Sequence, residues 1–238
     1  MYLTNNICYK PGSIFFTALF LQLCWILIIY MIDLYISKNF VGRYFCLHAI
    51  VNLCLIIPFA INDIVLFLND PISLETLLCG SRQPIIITNA LHIYHILTFK
   101  LKEIDIVHHI PAIAGAFGTF WWSYPISGNV QLALSLMGLP GAIDYVLLTM
   151  WKENILSIET EKKMNYYLNV WIRAPIANIT SFCIIITMYH HSNMFDIYNK
   201  LFIIVIGLHG YWNGNFFMKE VVISYSRYKQ NKMLQCNK

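Results

Sequence analysis

Between Lys100 and Pro111 the chain sets a carboxylate, Asp105, three and four residues ahead of two adjacent imidazoles, His108 and His109. In a helix those separations put all three on one face. A carboxylate so placed fixes an imidazole tautomer and raises its basicity, as general acid–base chemistry requires. Upstream, His92 and His95 are three residues apart and share a face by the same geometry. Downstream, Asp144, Arg173 and the run Leu208-His209-x-x-Trp212-Asn213 add a carboxylate, a guanidinium, an imidazole and an amide. All of these groups stand in or beside long apolar runs. Titratable side chains at such positions are costly to hold, and are functional candidates by default.

The elements that must position them follow from composition. Of the 238 residues, 58% are hydrophobic and 12% charged, about half the charged share of a soluble domain. The class expected is an all-α, polytopic integral membrane helix bundle forming a single domain. A net charge of +4 leaves no electrostatic footprint for nucleic acid. The seven cysteines are scattered, with no CxxC or metal-ligand spacing, and their odd number argues against a disulfide framework. Cys8 and Cys79 are the pair that could bridge. The first apolar run is too long for a cleaved signal sequence and is expected to remain as an anchor.

About 20 apolar residues cross the hydrocarbon layer, and seven spans can be drawn: 13–36, 46–68, 84–99, 104–122, 128–151, 165–189 and 197–218. A basic tail follows at 219–238. Alternate loops and the tail hold twelve Lys and Arg residues, against Lys10, Arg82 and Lys200 on the other side. Basic residues collect on the cytoplasmic side, so the N terminus is expected outside and the C terminus in the cytoplasm.

This topology gives each polar group a depth. His92, His95, Asp105, His108, His109, Asp144, Arg173 and His209 fall in the cytoplasmic half, where Arg173 is the natural counter-ion for Asp144. Pro111 is expected to perturb the fourth span and Pro140 to break the fifth. Asp63 lies towards the outer side, His190 and His191 in an outer loop, and His48 away from the group. Ala112, Ala114, Gly115, Ala116 and Gly118 would let another helix approach closely, in this chain or in an oligomer. The sequon Asn178-Ile-Thr180 lies inside a span and should be silent.

Asp105-x-x-His108-His109-Ile, the closing Asp144 with Lys152, and Leu208-His209-x-x-Trp212 together resemble a TLC domain, the TRAM/LAG/CLN type of membrane fold that includes ceramide synthases. The resemblance covers most of the chain. It implies lipid handling in the endoplasmic reticulum or a related endomembrane. Where ceramide synthases carry a His-Asp pair, this chain has Pro140-Gly141.

One reading is therefore a protein that binds or senses membrane lipids and regulates their composition without turnover. The other is a ceramide-synthase-like N-acyltransferase. There His108 or His109 is the base, Asp144 or Asp105 orients it, and acyl-CoA enters as co-substrate. His92, His95, Asp105, Arg173, His209, Trp212 and Asn213 would contact the lipid. Neither a bound cofactor nor a metal is expected. A di-iron hydroxylase or an elongase fits less well, because His190 and His191 fall on the wrong side and Ile96 stands where an elongase carries His. A channel or transporter remains a lesser alternative, since a broken fifth span would also suit an ion path.

Overall fold

The computed structural model describes residues 15–78, 80–101, 103–122 and 138–236. Helices joined by short connections account for most of them, with no strand among the described residues. Helix α1 is Phe15–Tyr35 and α2 is Arg43–Asn69. The short α3, Leu74–Leu78, precedes α4, Gln83–Thr98. Then come α5, Glu103–Trp122, α6, Leu139–Lys152, α7, Ile158–His190, and α8, Ile197–Cys236.

Four of these, α1, α2, α7 and α8, are long and apolar enough to cross a membrane. Their outward faces are apolar: Phe16 and Phe20 on α1 are 84% and 66% exposed, and Trp171 on α7 is 70% exposed. Such faces have no favourable contact with water and belong against lipid. Helix α4 covers the third expected span in 16 residues. The first half of the fifth span, and Cys8 and Cys79, lie outside the described residues.

Prolines shape two of the long helices in the same way. In α2 a π turn at Asn52–Ile56 comes two residues before Pro58. In α7 a π turn at Asn169–Arg173 comes two residues before Pro175. A proline inside a helix cannot donate to the carbonyl four residues back, and its ring crowds that carbonyl. The wider turn moves the crowded carbonyl aside, so neither helix breaks.

Pro111 and Pro140 stand in helices without a π turn. Helix α5 continues through Pro111, whose fixed φ is helical and whose missing bond is only the one to Val107. Pro140 stands in the first turn of α6, where its missing N–H would be unbonded in any case. It lies at the start of the described helix, and the earlier part of the expected span is outside the described residues.

Polar stitches and small residues join the helices. Asn89 Nδ2 in α4 donates to Gln22 Oε1 in α1 at 2.7 Å, and Trp25 Nε1 donates to Gln83 Oε1 at 2.8 Å. Ile29, Leu47, Val51, Ile87 and Leu91 bury their side chains between α1, α2 and α4. Between α7 and α8 the backbones come so close that a Cβ on Gly214 would stand 2.5 Å from the Ala177 methyl. On α5, Gly118 faces the Phe202 ring of α8, 2.7 Å from where its Cβ would be. The small-residue face of α5 thus receives α8 of the same chain.

Residues 219–236 are not a loose tail, because α8 runs on through them. The polar end packs along the start of α7: Lys162 Nζ donates to Ser224 Oγ at 2.7 Å, Tyr166 and Tyr225 rings lie 5.2 Å apart, and Lys232 pairs with Glu159 at 2.5 Å.

Candidate functional site: a buried histidine cluster beside an acid–amide–arginine network

Four imidazoles meet between α2, α4 and α5. His92 and His95 come from one face of α4, His109 from α5, and His48 from α2; each is at most 1% exposed. His48 and His95 have ring centroids 4.2 Å apart, His92 and His109 4.4 Å, and His95 and His109 5.9 Å. One ring nitrogen from each of His48, His95 and His109 lies within 4.8 Å of the other two.

Tyrosines wall the cluster. Tyr145 of α6 stacks on His48 at 4.0 Å with an 8° interplanar angle, and Tyr44 lies 4.6 Å from His95. Asp105, in the first turn of α5, is close enough for its charge to act on His109, Tyr44 and Tyr145.

The α1 side is closed by a charged triad. Arg43 pairs with both carboxylate oxygens of Asp33, which also accepts from Tyr94 Oη at 2.6 Å. Arg43 lies over Phe99, whose ring meets His95 and Tyr44.

Next to Tyr145 in sequence, Asp144 opens a second polar centre. Arg173 Nη1 stands 3.6 Å from Asp144 Oδ2, with their side chains 6% and 14% exposed. Asn165 Nδ2 donates to Asp144 Oδ1 at 2.5 Å and to Glu161 Oε1 at 3.1 Å. Asn169 Nδ2 donates back to Asn165 Oδ1 at 3.0 Å, and Arg173 Nη1 to Asn169 Oδ1 at 3.4 Å. Residues 165, 169 and 173 recur every four positions, and the π turn keeps all three on the Asp144 side. Arg173 also lies 4.8 Å over the Phe217 ring.

The expected site residues therefore divide. His92, His95 and His109 come together, and Asp144 meets Arg173. The His108 side chain lies outside the described residues. His209 stacks on Trp212, at 6.1 Å, rather than on the four histidines, and Asn213 is buried on the same helix.

His48 is a correction: read as remote, it sits at the centre of the cluster. Its separation from His95 and His109 in sequence hid a proximity that only helix packing creates. Three ring nitrogens drawn from three helices come within reach of one another while leaving no spacing motif in the sequence. A signal for His48 was present, since Tyr44, His48 and Asn52 repeat every four residues in an apolar helix. Asp33, also overlooked, is a lone carboxylate near the end of α1.

Chemically, the cluster offers imidazole donors and acceptors for a headgroup, a proton path or a metal ion. The Asp144 network offers a neutralised ion pair. No family model, curated protein or solved structure matches this chain.

Proposed function

We propose that the chain is a multi-pass membrane protein that binds or senses membrane lipids through its buried polar centre, in the manner of a TLC domain. The observation that carries this is the convergence of His92, His95 and His109 on one buried point that Tyr145 joins to Asp144 and Arg173. Polar groups gathered inside an apolar bundle suit recognition of a lipid headgroup, while the acyl chain lies along the apolar helix faces. Seven spans, an outer N terminus, a cytoplasmic C terminus and an endomembrane location belong to the same proposal. Lipid extracted from detergent-purified protein should be enriched in one class at near-stoichiometric amount. Lipid that merely mirrors the bulk membrane would sink the proposal.

Turnover is the second reading, favoured by Asp105 standing one turn before His109 in α5. Supplied with acyl-CoA and a long-chain amine, an acyltransferase forms amide and free CoA, and His109→Ala stops it. Lipid retained with no product over hours identifies a binding protein instead.

A further inference from the structure

We propose that His48, His95 and His109 form a binding site for one divalent transition-metal ion, with Zn2+ the natural first occupant. The site goes beyond the lipid reading, and its test does not pass through lipid.

Three observations carry it. The three donor nitrogens lie within 4.8 Å of one another, each on a different helix and each side chain almost wholly buried. Zn–N bonds of about 2.0–2.1 Å in a tetrahedron put ligand nitrogens about 3.3 Å apart, so modest inward ring rotations close the site. Neither ring nitrogen of His95 has a hydrogen-bond partner among the described residues. A buried imidazole left so is costly, and a metal bond satisfies one of the two nitrogens.

The donor set also selects the kind of ion. Neutral imidazoles suit Zn2+, Cu2+, Ni2+ or Co2+, whereas Mg2+ and Ca2+ take oxygen ligands. His92, with its ring 4.4 Å from that of His109, is not one of the three grouped ligands and stands where it can orient His109 from behind. Three helices from distant parts of the chain would then be tied at one atom, which the ring contacts alone do not accomplish. Three neutral ligands leave the ion doubly positive, and the nearby Asp105 carboxylate offsets part of that charge.

The test uses the full chain in detergent, stripped with chelator and reloaded with Zn2+ alone. Elemental analysis after desalting is expected to find about one Zn2+ per chain, falling at least fivefold in His48→Ala, His95→Ala and His109→Ala. His190→Ala with His191→Ala should leave the stoichiometry unchanged. Because an alanine variant can fail to fold, the wild-type chain carries an independent measurement. X-ray absorption at the zinc edge should show an imidazole nitrogen shell, and Co2+ should give the strong visible bands of a tetrahedral centre.

Absence of tightly held Zn2+ in folded wild-type protein overturns the site, as does an oxygen or sulfur shell or full occupancy in folded His48→Ala, His95→Ala or His109→Ala protein. Zn2+ bound without enriched lipid upholds the site and sinks the lipid proposal. Enriched lipid without Zn2+ does the reverse.

Discussion

The histidine cluster and the Asp144–Arg173 network lie side by side, joined at Tyr145, yet they manage buried polarity in opposite ways. Around Asp144 and Arg173 the groups answer one another: carboxylate, two amides and guanidinium form a chain of donors and acceptors. The histidine cluster is instead assembled mainly by ring contacts, and His95 has no hydrogen bond among the described residues. An internally satisfied network holds a bundle together. A buried imidazole such as His95, held by packing that Phe would provide at less cost, is better explained by something it binds. The contrast fits the proposal above, in which the first centre chiefly holds the bundle and the second chiefly binds.

The largest effect should come from cutting the network at Arg173. Arg173→Met leaves Asp144 buried without its counter-ion and should cost about 3–5 kcal/mol. The check is loss of monodisperse, thermally cooperative protein. Combining it with Asp144→Leu should recover most of the loss, because removing a whole buried pair is far cheaper than removing half. If the double variant is no better than the single, the network is not a simple charge pair.

Asn169→Ala comes next. It deletes the amide between Asn165 and Arg173, and should lower stability by about 1–3 kcal/mol, read from the shift in thermal midpoint.

His95→Phe should separate the two centres. The ring volume is kept and a poorly satisfied polar group is removed, so stability should change by less than about 1.5 kcal/mol. Retained lipid and Zn2+ should nevertheless fall by an order of magnitude. A variant that unfolds while its folded fraction still binds both would reverse the assignment.

The smallest effect is expected at the exposed pair Glu159–Lys232, outside the apolar part of the bundle. The hydrogen bond and charge of Lys232 hold the Glu159 carboxyl below the usual glutamate range. Its contribution is thus present above the ordinary glutamate pKa and is lost as pH falls through the depressed value. Amide protection factors at the end of α8, corrected for the intrinsic pH dependence of exchange, should fall slightly on acidification in wild-type protein and much less so in Glu159→Gln. High salt should have the same effect as the substitution.

Much of this was legible in the sequence where the signal is one-dimensional. Uncharged apolar runs mark the long helices, and three- and four-residue spacings placed His92 with His95 and Asp105 before His109. Arg173 opposite Asp144 followed from depth alone, since few other groups at that level carry the opposite charge. The proline behaviour was not legible. Whether a helix breaks, widens into a π turn or simply begins depends on how its neighbours hold the carbonyls around Pro58, Pro111, Pro140 and Pro175. The course of 219–236 was equally hidden, because its polar composition fits a solvated tail as well as a helix lying on α7.

By itself, then, the sequence determined an all-α membrane protein with titratable residues placed inside apolar helices, because hydropathy and helical period are properties of neighbours along the chain. Only the tertiary structure decided that His48 joins His95 and His109, that Asp33 pairs with Arg43 and Tyr94, and that His209 stands apart with Trp212. Those outcomes depend on rotation and depth of one helix against another. These are set by close approaches such as Gly214 on Ala177 and Gly118 on Phe202, which no local spacing encodes.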